Sequence, residues 1–426
     1  MPPEGDNAVA ILGAGVAGIC MAVKLIESGR RDFVIYEKAE ELGGTWRDNT
    51  YPGCACDVPS HLYSLSFAQH AGWSRRFASQ AEILAYLKDV ACRYGIEEHV
   101  RFRTPITAMR WSDERRCWRL STGDGRHFTA RAVISAVGGL HLPAYPELAG
   151  LDSFAGDCFH SARWRHDVDL SGKAVAVIGT GASAAQFIPE IAPKVGRLFV
   201  FQRTPQWVLP RRDRSYSRLE RWAYEHVPGL LGLSRAIHYW RSESRALALT
   251  VKPRLVGKPQ KRMLIFLERT VPDPELRRKL WPTYMMGCKR VILSDTFYPT
   301  MVRPNVELVT ESIDRVTPSA IVTRDGSERL VDVIICATGF HPFNPSDAIE
   351  IRSRGDRVLS EDWRNGPQAF RGVAVAGYPN YFMLMGPNSG LGHNSILFMI
   401  ESQARYIEQC LRWLDRGDRF RTIPGS

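Results

Sequence analysis

Lysine is scarce in this sequence: ten of its 56 cationic residues are Lys and the rest are Arg, interleaved with 45 Asp and Glu along the chain. The formal charge of +11 and the pI of about 9.3 therefore come without a basic stripe carrying interleaved aromatics, and nucleic acid is not an expected partner. Cysteine offers no framework either. The nine Cys are an odd number spread from Cys20 to Cys410, none forms a CxxC pair, and Cys54 and Cys56 stand one residue apart with no partners at zinc-ligand spacing. A disulfide scaffold and a redox dithiol are excluded, no metal is expected, and a reducing cytoplasmic setting is favoured. Long apolar runs are missing as well. The most apolar late stretch, Tyr381 to Ile400, is broken by Pro387, Asn388, Gly390, His393 and Asn394, so no stable membrane insertion is expected. The opening "MPPEGDNAVAILGAG" has no basic stretch followed by a cleavable apolar segment, so no signal peptide is expected.

What is present is a pair of nucleotide folds. At 426 residues with 44% apolar content the chain exceeds one core and predicts two sizeable domains. "AVAIL" (8 to 12) is followed by Gly13, Gly15 and Gly18, a helical apolar pattern to about Ser28, and "FVIYE" ending in Glu37. This is the dinucleotide fingerprint in its required context: strand, tight turn, helix N-terminus aimed at phosphates, and an acid for ribose hydroxyls. The pattern returns in "AVAVIGTGASA" (174 to 184), with Gly179, Gly181 and Ala184. The following strand "RLFVF" ends in Gln202, Arg203 and Thr204, where the first unit had an acid. A cation there favours a phosphorylated ribose, so the second nucleotide is expected to be NADPH, with Arg203 and Thr204 on its phosphate.

"RAVISAVGG" (131 to 139) and "VDVIICATGF" (331 to 340) each read as a buried strand ending in a small-residue turn, and look like two crossings between domains. The expected fold is α/β with two Rossmann-like dinucleotide-binding domains: residues 1–150 and 331–426 form the first, 151–330 the second. A helical insertion at about 211–290 follows from its Arg, Leu and Trp periodicity.

Three further segments carry a resemblance. "GGTWRDNTYPGCACD" (43 to 57) places Gly44, Trp46, Tyr51, Pro52, Gly53 and Asp57 at fixed offsets. Phe154, Gly156, His160 and Trp164 follow FxGxxxHxxxW, and "GCKRVILSDTFYP" (287 to 299) holds Lys289 and Arg290. With these the chain resembles the class B flavoprotein monooxygenases, most closely the type I Baeyer-Villiger monooxygenases, over nearly its whole length. The resemblance implies FAD as the first nucleotide, held by Gly13, Gly15, Gly18 and Glu37, with Gly44, Thr45, Trp46, Asp57 and Tyr63 around the flavin. It implies that Gly179, Gly181, Ser183 and Lys289 join Arg203 and Thr204 at NADPH. Arg290 would be the catalytic cation that keeps a flavin peroxide anionic while it attacks a ketone with O2 as oxidant, and Asp57 would orient that guanidinium.

The last pattern, "GPNSGLGHNSILFMIESQARYIEQCLRWL", reads as a Gly-Pro-Asn turn and a loop running into a long amphipathic helix with Ile400, Ala404, Ile407 and Leu411 on one face. By the same resemblance its N-terminus faces the flavin, with Asn388, Gly392 and Asn394 as cofactor contacts and His393 either a contact or a plain helix-entry residue. Two departures stand against the pattern. Position 165, where Pro or Asp is usual, is Arg165, which leaves N- or S-oxygenation open as the alternative reaction. Family members usually continue beyond this helix with a segment that closes the substrate pocket, whereas this sequence ends at Ser426, as a shorter member or as a truncated chain. Neither the particular ketone nor the oligomeric state is readable.

Overall fold

A computed structural model of the chain describes residues 6–250, 257–341 and 349–416. Strand β1 (Asp6–Leu12) lies between parallel neighbours and leads into α1 (Val16–Glu27) and β2 (Phe33–Tyr36), all four residues of which are buried. Short α2 (Thr45–Asp48) and α3 (Gln80–Arg93) follow, the latter capped by Ser79, whose side chain accepts from the Glu82 N–H. The sheet then grows by β3 (Val100–Arg101), β4 (Ile106–Ser112), β5 (Cys117–Thr122) and β6 (His127–Ser135). Strand β6 pairs along its length with β1. On its other side its first half pairs antiparallel with β5.

The chain next builds a second, wholly parallel sheet. Its strands are β7 (Asp157–His160), β8 (Ala174–Ile178) and, after α4 (Ala182–Ile191), β9 (Arg197–Phe201). Between short β10 (Val208–Leu209) and β11 (Ile292–Leu293), a parallel pair, lie α5 (Arg218–His226), α6 (Leu230–Thr250), α7 (Gly257–Thr270) and α8 (Pro274–Lys279). After α9 (Phe297–Met301) come β12 (Val306–Val309), the antiparallel trio β13 (Ile313–Val316), β14 (Ala320–Thr323) and β15 (Glu328–Leu330), and β16 (Val333–Cys336). The order is β12-β9-β8-β16-β7. One expectation is corrected here: Val333–Cys336, assigned from sequence to the returning part of the first domain, pairs with both β8 and β7 in the second sheet. All four of its residues are buried, as in a strand covered on both faces, and such a run reads the same in either sheet.

The return to the first sheet comes through β17 (Glu350–Arg352), parallel to β4, then α10 (Leu359–Asp362) and β18 (Tyr381–Met383). Strand β18 pairs with the second half of β6, where β5 has peeled away. Helix α11 (Ile396–Asp415) buries Ile400, Ala404, Ile407 and Leu411, in one core with residues of α1. Among the described residues no helix is long and apolar enough to cross a membrane.

The helices between β10 and β11 reach back onto segments that pack with the first sheet. Helix α5 opens with a reciprocal capping box of Ser217 and Glu220. From α6, Ser234 meets His61 at 2.8 Å and the buried Arg235 donates to the carbonyls of His61 and Ser64 at 3.2 and 2.5 Å. Tyr239 packs on Phe398 at the start of α11, ring centroids 4.8 Å apart.

Candidate functional site

The two fingerprint turns are built alike. Gly13 (φ 101°) and Gly179 (φ 109°) sit in a backbone region that favours glycine, and a Cβ on either would lie within 2.9 and 2.5 Å of the carbonyl oxygens of Ala136 and Ala337, where the neighbouring strand ends. Helices α1 and α4 both begin at a glycine N-cap, Gly15 and Gly181, with no side-chain cap. Their first N–H groups are thus donors left for an anion. Gly18 allows α1 to rest on the turn, since a Cβ there would fall 2.0 Å from the Gly13 carbonyl oxygen, whereas Ala184 fits, fully buried, at the equivalent place in α4. At the end of β2 the buried Glu37 accepts from the N–H groups of Ala14 and Ala39 at 2.8 and 2.9 Å and pairs with Arg47 at 3.2 Å. A carboxylate fixed at a strand end beside an uncapped helix fits the ribose and pyrophosphate of a dinucleotide.

Residues 43–57 run from this turn to α4, beside the second sheet. The Gly43 N–H donates to the Ala14 carbonyl at 2.9 Å, and Gly44 (φ 53°) faces Gly15 so closely that a Cβ would lie 2.9 Å from the Gly15 Cα. Two opposed glycines bring the two backbones together beside the uncapped start of α1. Trp46 donates to the Tyr63 hydroxyl at 3.0 Å, with the rings edge to face at 5.6 Å, and burial first of all holds the Tyr63 phenol well above its usual range. Thr45 starts α2. The Tyr-Pro-Gly turn does more than redirect the chain. Tyr51 belongs to the core packed on the second sheet, its ring 6.0 Å from Phe187 of α4, and Gly53 (φ 74°) lies where a Cβ would come within 2.9 Å of the Gln186 carbonyl oxygen.

Asp57 and Arg290, 233 residues apart, meet in a fork: Nε donates to Oδ2 at 3.0 Å, and Nη2 to Oδ1 and Oδ2 at 2.8 and 2.6 Å. Arg290 precedes β11, and its side chain is half exposed. Burial pulls its pKa down, but the charge and hydrogen bonds of Asp57 outweigh this and raise it above the ordinary arginine value, so the cation is permanent. Lys289 is exposed, with Nζ 5.2 Å from the Tyr284 ring centre.

At the second turn Ser183 lies in the first turn of α4 and touches the Tyr51 phenol. Arg203 is exposed at the end of β9, with Thr204 beside it. His160 ends β7, fully buried, with Nδ1 accepting from the Ala162 N–H. Arg165 is spent locally, forked between Asp157 at 2.8 Å and Asp167 at 2.5 Å. Of the late loop, Asn388 is exposed at φ 59°, a conformation Asn tolerates. Buried Asn394 caps the approach to α11: its Oδ1 accepts from the Ser395 N–H at 2.7 Å and its Nδ2 donates to Glu243 of α6 at 2.6 Å. His393 also reaches Glu243, at 3.4 Å.

Sequence reasoning missed Arg47, Gln186 and Glu243. Arg47 follows Trp46 directly, so its place in the fingerprint segment was a usable signal. The other two act on residues more than 130 positions away, and nothing local marks them.

The family model described as Flavin-binding monooxygenase-like matches residues 6–220. A Baeyer-Villiger monooxygenase of Pseudomonas aeruginosa is 46% identical over 408 residues, covering 96% of this chain and 77% of that protein. One of Streptomyces coelicolor is 45% identical over 407 residues, covering 96% and 78%. Among solved structures, cyclohexanone monooxygenase from Rhodococcus sp. Phi1 bound to NADP+ superposes with a TM-score of 0.86 at 30% identity, covering 97% of this chain and 85% of that one. The OTEMO complex with FAD and NADP gives 0.86 at 31%, covering 96% and 86%.

Proposed function

This chain belongs to the flavin-binding monooxygenase-like family, and we propose that within it Arg290, held by Asp57, carries the Baeyer-Villiger oxidation of a ketone to an ester or lactone. The protein is an FAD- and NADPH-dependent monooxygenase of the Baeyer-Villiger type. Bound FAD supplies the activation of O2 and NADPH supplies the hydride that reduces it, so that one oxygen atom enters beside the carbonyl and the other leaves as water.

The remaining work falls to the protein's side chains. Asp57 engages Nε and Nη2 of Arg290, and among the described residues no partner takes Nη1. We assign that donor to the ketone oxygen, where negative charge develops as the carbonyl carbon is attacked. A cation that never loses its proton stabilises this charge without quenching it, and the fork to Asp57 fixes its direction beforehand. Gly13, Gly15, Gly18, Glu37 and Gly44 are proposed to hold the first nucleotide, with Thr45, Trp46, Tyr63, Asn388 and Asn394 as contacts to its flavin. Gly179, Gly181, Ser183, Arg203, Thr204 and Lys289 are proposed for NADPH. The division into FAD and NADPH domains belongs to the same reading, with the return crossing placed after Cys336. A cytoplasmic location is supported by the odd, dispersed cysteines.

The forked Asp57–Arg290 pair carries this reading. It is tested by Arg290→Ala: flavin reduction by NADPH should proceed as in the parent, while ester or lactone formation falls by about two orders of magnitude or more, the usual cost of removing one preorganised charge donor. Undiminished ester formation would remove Arg290 from the chemistry.

A further inference from the structure

The segment that carries Asp57 is extended, and its backbone groups alternate between two supports. On one side Cys56 donates its N–H to the Ala78 carbonyl at 3.0 Å, and the Cys54 carbonyl accepts from the Gln80 N–H at 2.9 Å. On the other side stands no strand but a single side chain. Gln186 of α4 accepts from the Ala55 N–H through Oε1 at 3.3 Å and donates through Nε2 to the Ala55 carbonyl at 2.9 Å. Its amide replaces the peptide group of a missing neighbouring strand. The same Oε1 accepts from the Tyr51 hydroxyl at 3.1 Å, and Tyr51 also touches Ser183 one turn earlier on α4. Gly53 lets the segment lie this close, since a Cβ would come within 2.9 Å of both the Gln186 carbonyl oxygen and the Glu190 side chain.

We propose that Gln186 is a positioning residue for the oxygenation step: it ties the helix whose N-terminus receives the second dinucleotide to the backbone two residues before Asp57, and through Asp57 it fixes Arg290. The proposal rests on the reading of Arg290 given above. Helix α4 starts at the uncapped Gly181, Gln186 lies little more than one turn further on, and Ala55 is two residues from the carboxylate that forks onto Arg290. Any displacement of α4 would therefore reach the catalytic cation through two hydrogen bonds. Without them the Ala55 N–H and carbonyl lose their partners in a part-buried place, and the segment slackens on the side facing α4.

The test uses the flavin-loaded enzyme with Gln186→Leu, which keeps side-chain bulk and removes both bonds, and Gln186→Glu, which keeps an acceptor for Tyr51 and Ala55 but loses the donor. Hydrogen exchange of the peptide spanning residues 51–57 should speed up by about tenfold in Q186L and less in Q186E. Flavin content and the KM for NADPH should stay near parental values. Product formed per NADPH consumed should fall by about tenfold in Q186L, the excess reducing equivalents appearing as hydrogen peroxide, with partial rescue in Q186E. Coupling is measured with a ketone and with a thioether. A parent enzyme that oxygenates only the thioether sinks the ketone reading, whereas the tether is judged on whichever substrate is turned over. Unchanged exchange over 51–57, or a defect confined to KM for NADPH at full coupling, would overturn the role of Gln186. Should Q186L lose flavin or fail to fold, Q186E alone decides by the same two readouts.

Discussion

At the scale of single residues the site turns on geometry rather than on charge alone. The Asp57 carboxylate meets Arg290 edge to edge through two guanidinium nitrogens, an arrangement an ammonium cannot reproduce. Arg290→Lys keeps a positive charge but gathers its three donors on one rotatable nitrogen, so it cannot hold the Asp57 fork and the ketone oxygen in separate, fixed directions. Steady-state oxygenation by R290K should fall by about tenfold to a hundredfold, less than for Arg290→Ala, with flavin reduction intact. Asp57→Asn removes the charge that holds the fork while keeping the side chain's shape, and an effect of about tenfold on kcat is expected, with little on the KM for ketone. Equal rates for R290K and the parent would mean that a point charge suffices and that the fork is structural.

At the scale of elements the notable joint is α6 against residues 58–66, because two histidines packed there, His61 and His238, are disfavoured in their protonated forms. His61 is 1% exposed, its Nδ1 is engaged by Ser234, and its ring stacks on Tyr216 with centroids 5.0 Å apart. Burial, and then the neighbouring His238 and His70, lower its pKa to about 4, with Glu220 opposing weakly. His238 on α6 is likewise lowered to about 4, by burial and then Arg76, Arg241 and Arg245. A histidine depressed in the folded state is protonated first in the unfolded chain as pH falls below about 6.5. Its neutral packing thus contributes full stability above that value and loses it progressively down to pH about 4, by about 3 kcal/mol at most for His61. Thermal melts at pH 7.5, 6 and 5 should show a steep decline in the parent and a shallower one in His61→Gln, which keeps a neutral polar side chain and removes the proton acceptor. Parallel declines in the two proteins would assign the acid sensitivity elsewhere.

At the scale of the whole molecule, the legible parts were those whose physics is local. A short apolar strand, a glycine turn and an amphipathic helix are written within thirty residues, so both dinucleotide units and α11 were readable, as was the fingerprint segment that brings Asp57 toward Arg290. What was not readable depends on pairing across the chain. The strand Val333–Cys336 has four apolar residues that suit the middle of either sheet, so composition could not choose between them. The tether from Gln186 to Ala55 and the reach of Glu243 to Asn394 are polar contacts between distant segments, which leave no periodic trace. The same separation of the two sheets makes one division of labour testable. Arg203 lies two residues beyond a strand of the second sheet and Glu37 one residue beyond a strand of the first, so the two nucleotides should respond to changes independently. Arg203→Glu replaces a cation suited to a ribose phosphate with an acid suited to a diol. Loss of a charged hydrogen bond together with the new repulsion should raise the KM for NADPH by about tenfold to a hundredfold and shift the kcat/KM ratio toward NADH by at least as much. Flavin content should be unaltered, since nothing around Glu37 changes. A variant that binds NADPH as well as the parent would show that the phosphate is held elsewhere, and one that loses its flavin would show that the two sheets do not act as separate binding units.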